Sequence, residues 1–343
     1  MKLKLRAPLP PMEAELVEEI PRGPEWQYEP KWDGFRCLVF RDDKRVSLQS
    51  KSGQSLTRYF PELVAELLKL RAKRFVLDGE IVVPVGKQLS FDHLLARIHP
   101  AASRVKRLAG EHPAKLIVFD LLASARGGSL LDLPLTERRQ RLEAFAERYL
   151  DDRSRIRISP ATTRLSTARR WFRGAGGALD GVIAKRRDLP YQSGQRTGMQ
   201  KIKPVRTADC VVGGFRYAAD GKLVGSLLLG LYNDQGLLDH VGYASSFPMA
   251  QRRQISKLVK RHVKPPGFTG KKPGGPSRWS AKRSTEWTPL APAMVAEVEY
   301  DQFSSGRFRH GVKFSRWRPD KAARDCTTEQ VQSHSAYGIL LER

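Results

Sequence analysis

The hydrophobic pattern of the chain changes character near residue 206, and this change limits the folds that are open to it. Up to that point, strand-like apolar runs alternate with amphipathic segments such as residues 58–70, where Leu63, Leu67 and Leu70 share one helical face. Beyond it, short strand-like runs follow one another between Gly, Asn and Asp turns. The pattern predicts two domains, residues 1–206 and residues 207–343.

The first domain is expected to be an α+β unit of antiparallel sheets and helices. "AKLIVFDLLA" (114–123) predicts a buried strand. Ser90 is the expected N-cap of a helix in "SFDHLLARI" (90–98). The charges of "TERRQRLEAFAERYL" (136–150) are interpreted as a solvated helix face.

The second domain combines about five strands with one helix, which is the pattern of a small Greek-key β-barrel of the oligonucleotide-binding (OB) type. The helix is expected over "MAQRRQISKLVKRHV" (249–263). The basic, Pro- and Gly-rich residues 264–288 are expected to form a long loop that contacts DNA.

The charge of the chain is its least ordinary global property. It has 61 Lys and Arg against 36 Asp and Glu, a formal net charge of +25. Such an excess favours a polyanionic partner, with nucleic acid ahead of the alternative of a merely solvated basic surface.

Several classes are not favoured by the sequence. The three cysteines are far apart, so neither a zinc site nor a disulfide framework is predicted, and the seven histidines show no metal-ligand spacing. No apolar run approaches the roughly 18 residues of a membrane span, and the N-terminus lacks the apolar core of a secretory signal. We therefore expect a cytoplasmic, nucleoid-associated protein that does not bind membranes.

One lysine stands where chemistry would explain its setting. In "YEPKWDGFRCLVF" (28–40), Lys31 precedes an Asp-Gly turn and a strand-like apolar run. A lysine becomes a nucleophile when it is desolvated or lies near other cations that lower its pKa. By itself the short K-x-D-G pattern more often marks a turn with solvated charges, so the other motifs must decide.

Those motifs add carboxylates and cations in strand-like settings. "VLDGEIVV" (76–83) places Asp78 and Glu80 on one strand face, where a carboxylate needs a cation, a metal ion or a ligand hydroxyl. "KIK" (201–203) presents two lysines on one face, which suits phosphate contacts. "RWRPDK" (316–321) brings together Arg316, Arg318, Asp320 and Lys321.

In this order the motifs resemble the covalent nucleotidyltransferase superfamily, and in particular the short stand-alone bacterial ATP-dependent DNA ligases. The resemblance covers nearly the whole chain. It implies a nucleotidyltransferase (adenylation) domain followed by an OB-fold domain. It also implies that Lys31 attacks the α-phosphate of ATP, that Glu29 lies beside the adenine amino group, and that Phe119 stacks on the adenine.

The resemblance assigns roles to further residues. Arg36 is expected to contact the ribose or the nick phosphate, and Glu80 the ribose or a metal ion. The phosphate-binding lysines are expected to be Lys185, Lys201 and Lys203. The barrel-domain residues expected to orient the leaving pyrophosphate are Arg316, Arg318, Asp320 and Lys321.

The chain departs from the family pattern at three positions. Lys51 stands where an arginine is common, Met199 where a tryptophan is common, and Asp180 replaces a glutamate that contacts metal. Strict alternation would also put Asp180 and Lys185 on opposite faces of one strand. Both can serve one site only if the strand bends or if Asp180 lies in the preceding turn, and Gly181 would permit either.

The resulting prediction is a DNA ligase that uses ATP with Mg²⁺ or Mn²⁺, works as a monomer and takes part in DNA repair. Nicked double-stranded DNA is the expected partner, with repair polymerases or end-joining proteins as further ones. The barrel domain is expected to close for the reaction with ATP and then to swing away. The alternatives are an RNA ligase, a GTP-dependent capping enzyme, and a non-catalytic nucleic-acid binder.

Overall fold

The computed structural model describes residues 3–86, 88–175, 179–218, 221–274 and 286–331. These residues form two compact units, with the division between Pro204 and Val205. None of the described helices is long and apolar enough to cross a membrane.

The first unit contains two main sheets, which helices accompany. Its strands are β1 (Glu15–Val17), β2 (Trp26–Trp32), β3 (Phe35–Asp42), β4 (Arg45–Ser50), β5 (Arg74–Val82), β6 (Pro84–Val85), β7 (Gln88–Leu89), β8 (Lys115–Ala123), β9 (Ile156–Ile158), β10 (Leu179–Arg186) and β11 (Met199–Ile202). Its α-helices are α1 (Pro61–Lys69), α2 (Phe91–Ala96), α3 (Ala102–Glu111), α4 (Leu135–Tyr149) and α5 (Leu165–Arg173).

The larger sheet has the order β4-β3-β5-β8-β9 and the smaller one the order β1-β11-β10-β2. Neighbouring strands are antiparallel with two exceptions at the sheet edges. The short strand β9 pairs in parallel with β8, and the short strand β1 pairs in parallel with β11. Strand β8 is central and almost wholly buried, as its apolar run predicts. Glu80 and Phe119 therefore lie on interior strands of the larger sheet, whereas Lys31 lies on β2, at one edge of the smaller sheet.

The helices show both the strength and the limit of periodicity. Helix α1 buries Leu63 and Leu67, and the Ser90 hydroxyl caps α2 by accepting a hydrogen bond from the His93 backbone N–H at 3.3 Å. The solvated-face interpretation of the charges on α4 was wrong for Arg138 and Arg139, which are buried. Arg138 forms two hydrogen bonds to the Asp120 carboxylate, at 2.9 and 3.0 Å, because a buried guanidinium needs a carboxylate partner.

The second unit is a small β-sheet with an inserted helix. Its strands are β12 (Arg206–Tyr217), β13 (Val224–Tyr232), β14 (Leu238–Ala244), β15 (Thr288–Pro289), β16 (Val295–Tyr300), β17 (Phe303–Ser304), β18 (Arg307–Phe308) and β19 (Lys313–Trp317), and its helix is α6 (Met249–Val259).

The main sheet of this unit runs β14-β13-β12-β16-β19. Its two ends approach each other through one parallel bridge, Ala244 with Val312, rather than through a full strand pair. The two units together confirm the predicted α+β fold, and the helix between the third and fourth strands of the second unit agrees with the expected OB-type pattern, although its sheet is not closed into a barrel in the described residues. Of the predicted basic loop, residues 275–285 lie outside the described part of the chain.

Candidate nucleotide-binding site

The first unit contains a recess of about 830 Å³, a volume that includes open solvent at its mouth. Part of its wall comes from residues 11–14 and from the apolar side chains of Ile183 and Met199. The predicted site residues that line it are Glu29, Lys31, Arg36, Lys51, Glu80, Phe119, Lys185 and Lys201. Strand pairing thus brings together residues as far apart in the sequence as Glu29 and Lys201.

Lys31 lies near the end of β2, just before the turn that leads to β3. The turn needs a glycine because a Cβ atom on Gly34 would lie 2.2 Å from the Ile81 carbonyl oxygen. The Lys31 Nζ is 2.6 Å from Asp180 Oδ2, and the Lys203 Nζ is 2.8 Å from the same oxygen. One carboxylate therefore orients two ammonium groups.

The strand carrying Asp180 and Lys185 is irregular, and this resolves the conflict that strict alternation predicts. The pairing of β10 with β2 shifts register between Leu179 and Val182, and Gly181 between them has φ of 130°. A Cβ atom on Gly181 would lie 2.0 Å from the Ile202 carbonyl oxygen, so only glycine fits here. The bend turns Asp180 toward Lys31 while Lys185 still lines the recess.

The charges around Lys31 differ from the expectation that neighbouring cations lower its pKa, which was wrong for this structure. Burial does lower the pKa of Lys31, but the Asp180 carboxylate, with Glu80 and Asp33 behind it, outweighs burial and raises it. Asp180 is the complement: burial raises its pKa, but Lys31 and Lys203 lower it below the usual value.

Two other side chains of the recess have shifted pKa values. Burial raises the pKa of Glu80 to about 7, although Lys31 and Arg36 oppose the shift. Burial, together with the charges of Lys31, Lys203 and Lys51, lowers the pKa of Lys201. An uncompensated lysine among cations marks a place where an anion would be stabilised.

A buried pair of opposite charges lies beside the Phe119 ring. Lys185 donates to Glu29 Oε2 at 2.7 Å, and the Gln27 amide donates to Glu29 Oε1 at 2.8 Å. The Lys185 Nζ is 4.4 Å from the centre of the Phe119 ring. An aromatic face next to fixed donors and acceptors suits a planar heterocyclic base.

Arg36 lines the recess, but its guanidinium is already held. Its Nε and Nη2 donate to the two oxygens of Asp78 at 2.5 and 2.6 Å, and Asp78 is fully buried. Sequence reasoning left Asp78 without a role, and its signal was a carboxylate in an apolar strand, which requires a cation. Tyr191, whose hydroxyl also donates to Asp78 at 2.7 Å, carried no such signal.

Lys51 and the two arginines of the barrel motif, Arg316 and Arg318, also have carboxylate partners. The Lys51 Nζ is 3.0 Å from a carboxylate oxygen of Glu13. Glu13 also lines the recess, although the sequence motifs did not predict it as a site residue. The remaining predicted residues, Arg316, Arg318, Asp320 and Lys321, belong to the second unit. There Arg316 pairs with Glu297 at 2.9 Å, and Arg318 with Asp320 at 2.8 Å and Asp209 at 3.0 Å.

The carboxylates do not form a metal cage by themselves. Within the described ranges, no group of three or more His, Cys, Asp or Glu side chains could hold a metal ion. Asp180 Oδ2 is already in contact with two ammonium groups. The donors fit an ion that is bound mainly by substrate phosphates and water with one or two protein carboxylates, as Mg²⁺ commonly is.

Comparisons with known proteins agree with this geometry. Residues 11–203 match the family described as ATP dependent DNA ligase domain, and residues 220–321 match the ATP dependent DNA ligase C terminal region. DNA ligase C2 of Mycolicibacterium smegmatis is 46% identical over 349 residues, which cover 97% of both chains.

Two further comparisons extend the range. The multifunctional non-homologous end joining DNA repair protein LigD of Mycobacterium tuberculosis is 31% identical over 317 residues, which are 90% of this chain and 38% of LigD. A structure from a structure-function study of Lig E DNA ligases superposes with a TM-score of 0.55, covering 90% of this chain and 99% of the other at 15% identity. That last likeness concerns the fold alone.

Proposed function

The chain belongs to the ATP-dependent DNA ligase family, and from that premise we propose that it seals nicks in duplex DNA through an adenylate on Lys31. The observation that supports this assignment is the position of Lys31 in a recess that also contains the Phe119 ring, the buried ion pair of Lys185 with Glu29, and more cationic than anionic side chains. The relatives' role in end joining supports a place in DNA repair.

The first step is nucleotidyl transfer to the lysine. The Lys31 Nζ forms a bond to the α-phosphorus of ATP, and the bond to the bridging oxygen breaks as pyrophosphate leaves. The ammonium gives up a proton to solvent beforehand, because only the free amine has a lone pair. Asp180 holds Lys31 in place, and Phe119, Glu29 and Lys185 receive the base.

The next two steps join the DNA strands. AMP passes from Lys31 to the 5′-phosphate at the nick, and the 3′-hydroxyl then attacks that phosphate and displaces AMP. Lys201 and Lys203 stabilise the phosphates during these transfers, since catalysis here is mostly positioning and charge neutralisation. The net charge of +25 supports sequence-independent contacts with the DNA backbone.

The proposal includes a divalent ion, Mg²⁺ or Mn²⁺, which enters with ATP. Such an ion would neutralise charge on the leaving pyrophosphate. Asp180 or Glu80 would supply its protein ligand. Arg316, Arg318 and Lys321 are proposed to act on the pyrophosphate, as the family resemblance implies.

The direct test is transfer of label from α-labelled ATP. We expect wild-type protein and Mg²⁺ to give a labelled chain that survives denaturation and loses its label to nicked DNA as sealed product appears. Lys31→Ala should not become labelled. Lys69→Ala is the matched control, because the Lys69 side chain is 76% exposed and pairs with its helix neighbour Glu66.

Each other outcome contradicts a defined part of the proposal. Labelled Lys31→Ala protein would show that another residue is the nucleophile. Label that passes to nicked RNA and not to DNA would show an RNA ligase, and label from GTP alone would show a capping-type enzyme.

A further inference from the structure

The wall of the recess formed by residues 10–13, "PPME", lies outside regular strands and is held by a separate loop. We call these residues the N-terminal wall; three of them, Pro11, Met12 and Glu13, line the recess. Because proline has no backbone N–H, Met12 and Glu13 supply the only backbone donors in the wall. Whatever binds those two donors therefore fixes much of its position.

Both donors end on the loop that precedes β11. The Met12 N–H donates to the Tyr191 hydroxyl at 2.9 Å, and the Glu13 N–H donates to the Gln195 carbonyl at 2.8 Å. In the reverse direction, the Gly194 N–H donates to the Pro11 carbonyl at 3.2 Å.

Two side chains complete the hold on the wall. The Ser193 hydroxyl donates to the Pro10 carbonyl, and the Arg36 Nη2 donates to the Met12 carbonyl at 3.3 Å. Both backbone N–H groups and backbone carbonyl groups of the wall are therefore hydrogen-bonded to other parts of the first unit, and we call this set of bonds the clamp.

Two groups link this clamp to the deeper part of the recess, the Arg36 guanidinium and the Tyr191 hydroxyl. While the Tyr191 hydroxyl accepts from Met12, it donates to Asp78 Oδ2 at 2.7 Å. Asp78 in turn holds Arg36, whose Cζ lies 4.6 Å from the centre of the Phe119 ring. One hydroxyl thus connects the outer wall with the arginine that lies over the aromatic ring, and Tyr191 itself is only 6% exposed.

We propose that Tyr191 is a positioning residue whose hydroxyl fixes the N-terminal wall and so sets the affinity of the recess for ATP. The inference rests on the proposed function, because it assumes that ATP occupies the recess. It assigns Tyr191 no part in bond making, since its hydroxyl is committed to Met12 and Asp78. Tyr191 therefore acts on binding more than on the adenylation rate at saturating ATP.

The test is Tyr191→Phe, which keeps the ring and removes the hydroxyl. The Met12 N–H loses its acceptor and Asp78 loses a donor, so the wall must be reordered when ATP binds. We expect the KM for ATP in lysyl-AMP formation to rise about tenfold, with kcat changed by less than about twofold.

The matched control is Tyr28→Phe. Tyr28 is also buried, and its hydroxyl donates to the Pro21 carbonyl at 2.7 Å, but it does not line the recess. It loses the same chemical group from the same unit, so we expect its KM for ATP to stay at the wild-type value. An equal rise in both variants would overturn the proposal, as would a fall in kcat without a change in KM.

A second readout needs no ATP. In hydrogen–deuterium exchange of the free protein, a peptide spanning the wall reports mainly on Met12 and Glu13, because the prolines have no exchangeable amide. Tyr191→Phe should speed exchange in that peptide, and Tyr28→Phe should not. Unchanged exchange in Tyr191→Phe would refute the clamp.

The two readouts separate the inference from the function on which it rests. Wild-type protein that forms no adduct with ATP would refute the proposed function, while the exchange experiment would still decide whether Tyr191 holds the wall. Should Tyr191→Phe fail to fold, Ser193→Ala removes a different bond of the same clamp. It should raise the KM for ATP about threefold, and an unchanged KM and unchanged exchange would overturn the proposal.

Discussion

Replacing Gly181 with alanine should force β10 and β11 apart beside the recess. Gly181 has φ of 130°, a conformation in which an L-residue is strained by about 1–3 kcal/mol. In addition, the new Cβ would lie 2.0 Å from the Ile202 carbonyl oxygen, which is backbone and cannot rotate away. Because β10 and β11 must separate to relieve that contact, we expect the variant to lose more than about 3 kcal/mol of unfolding free energy in this region.

The control that isolates the contact is Gly86→Ala. Gly86 also has a positive φ, of 57°, but a Cβ atom there would have no neighbour within 4 Å. It should therefore show only the backbone strain, about 1–2 kcal/mol. A difference larger than the difference in backbone strain, at most about 1–2 kcal/mol, would report the close approach of β10 to β11.

Native-state hydrogen exchange of β10 and β11 is the suitable assay, since it gives a local opening free energy and does not require the two units to unfold together. Lysyl-AMP formation should fall in parallel, because Asp180 and Lys203 lie on either side of the contact. A Gly181→Ala protein that loses no more stability than Gly86→Ala would refute the steric argument.

Three other predictions follow from the charges. Arg138→Ala should destabilise the first unit by about 3–5 kcal/mol, because it removes the cation that pairs with the buried Asp120 carboxylate. Thermal unfolding of this variant and of Arg138→Lys tests the prediction, and equal stability of the two variants would contradict it. Burial raises the pKa of Glu80 from 4.5 to about 7, so the folded state holds a proton that the unfolded state has released; stability from this group is present below pH 4.5 and is lost as pH rises toward 7. Glu80→Gln should remove that loss in denaturation series across the same pH range, and an unchanged pH dependence would disprove it. Since Asp180 raises the pKa of Lys31, adenylation by wild-type protein should speed up as pH rises above neutral, and Asp180→Asn should shift the rate profile to lower pH; a profile that stays in place would show that Asp180 does not control the proton on Lys31.

Local sequence patterns were sufficient to predict the architecture. The change of period near residue 206, the alternating strands and the capped helix over Phe91–Ala96 correspond to elements of the structure. The motif order also led to the correct family, because each motif is a short run whose chemistry is legible without its neighbours. Lys31 stood out for the same reason, since its turn and strand lie next to it in the chain.

The partners of those motif residues could not be predicted from the sequence, because they depend on how distant strands and loops pair in the fold. Asp180 meets Lys31 across 149 positions and Tyr191 meets Met12 across 179 positions. The irregularity at Gly181 then decided which face of β10 each charge occupies. A shift of one residue would have reversed that choice.

Electrostatic environment depended on the tertiary structure for the same reason. The sequence predicted that neighbouring cations would lower the pKa of Lys31, whereas the nearest charge in the folded chain is the Asp180 carboxylate. Likewise, helical periodicity could not show that Arg138 of α4 points toward the buried Asp120 of β8. Sequence by itself determined which chemical groups the protein has and the elements that carry them. The tertiary structure alone decided which charges face one another, because Coulomb interactions and burial depend on distance in space and not on separation along the chain.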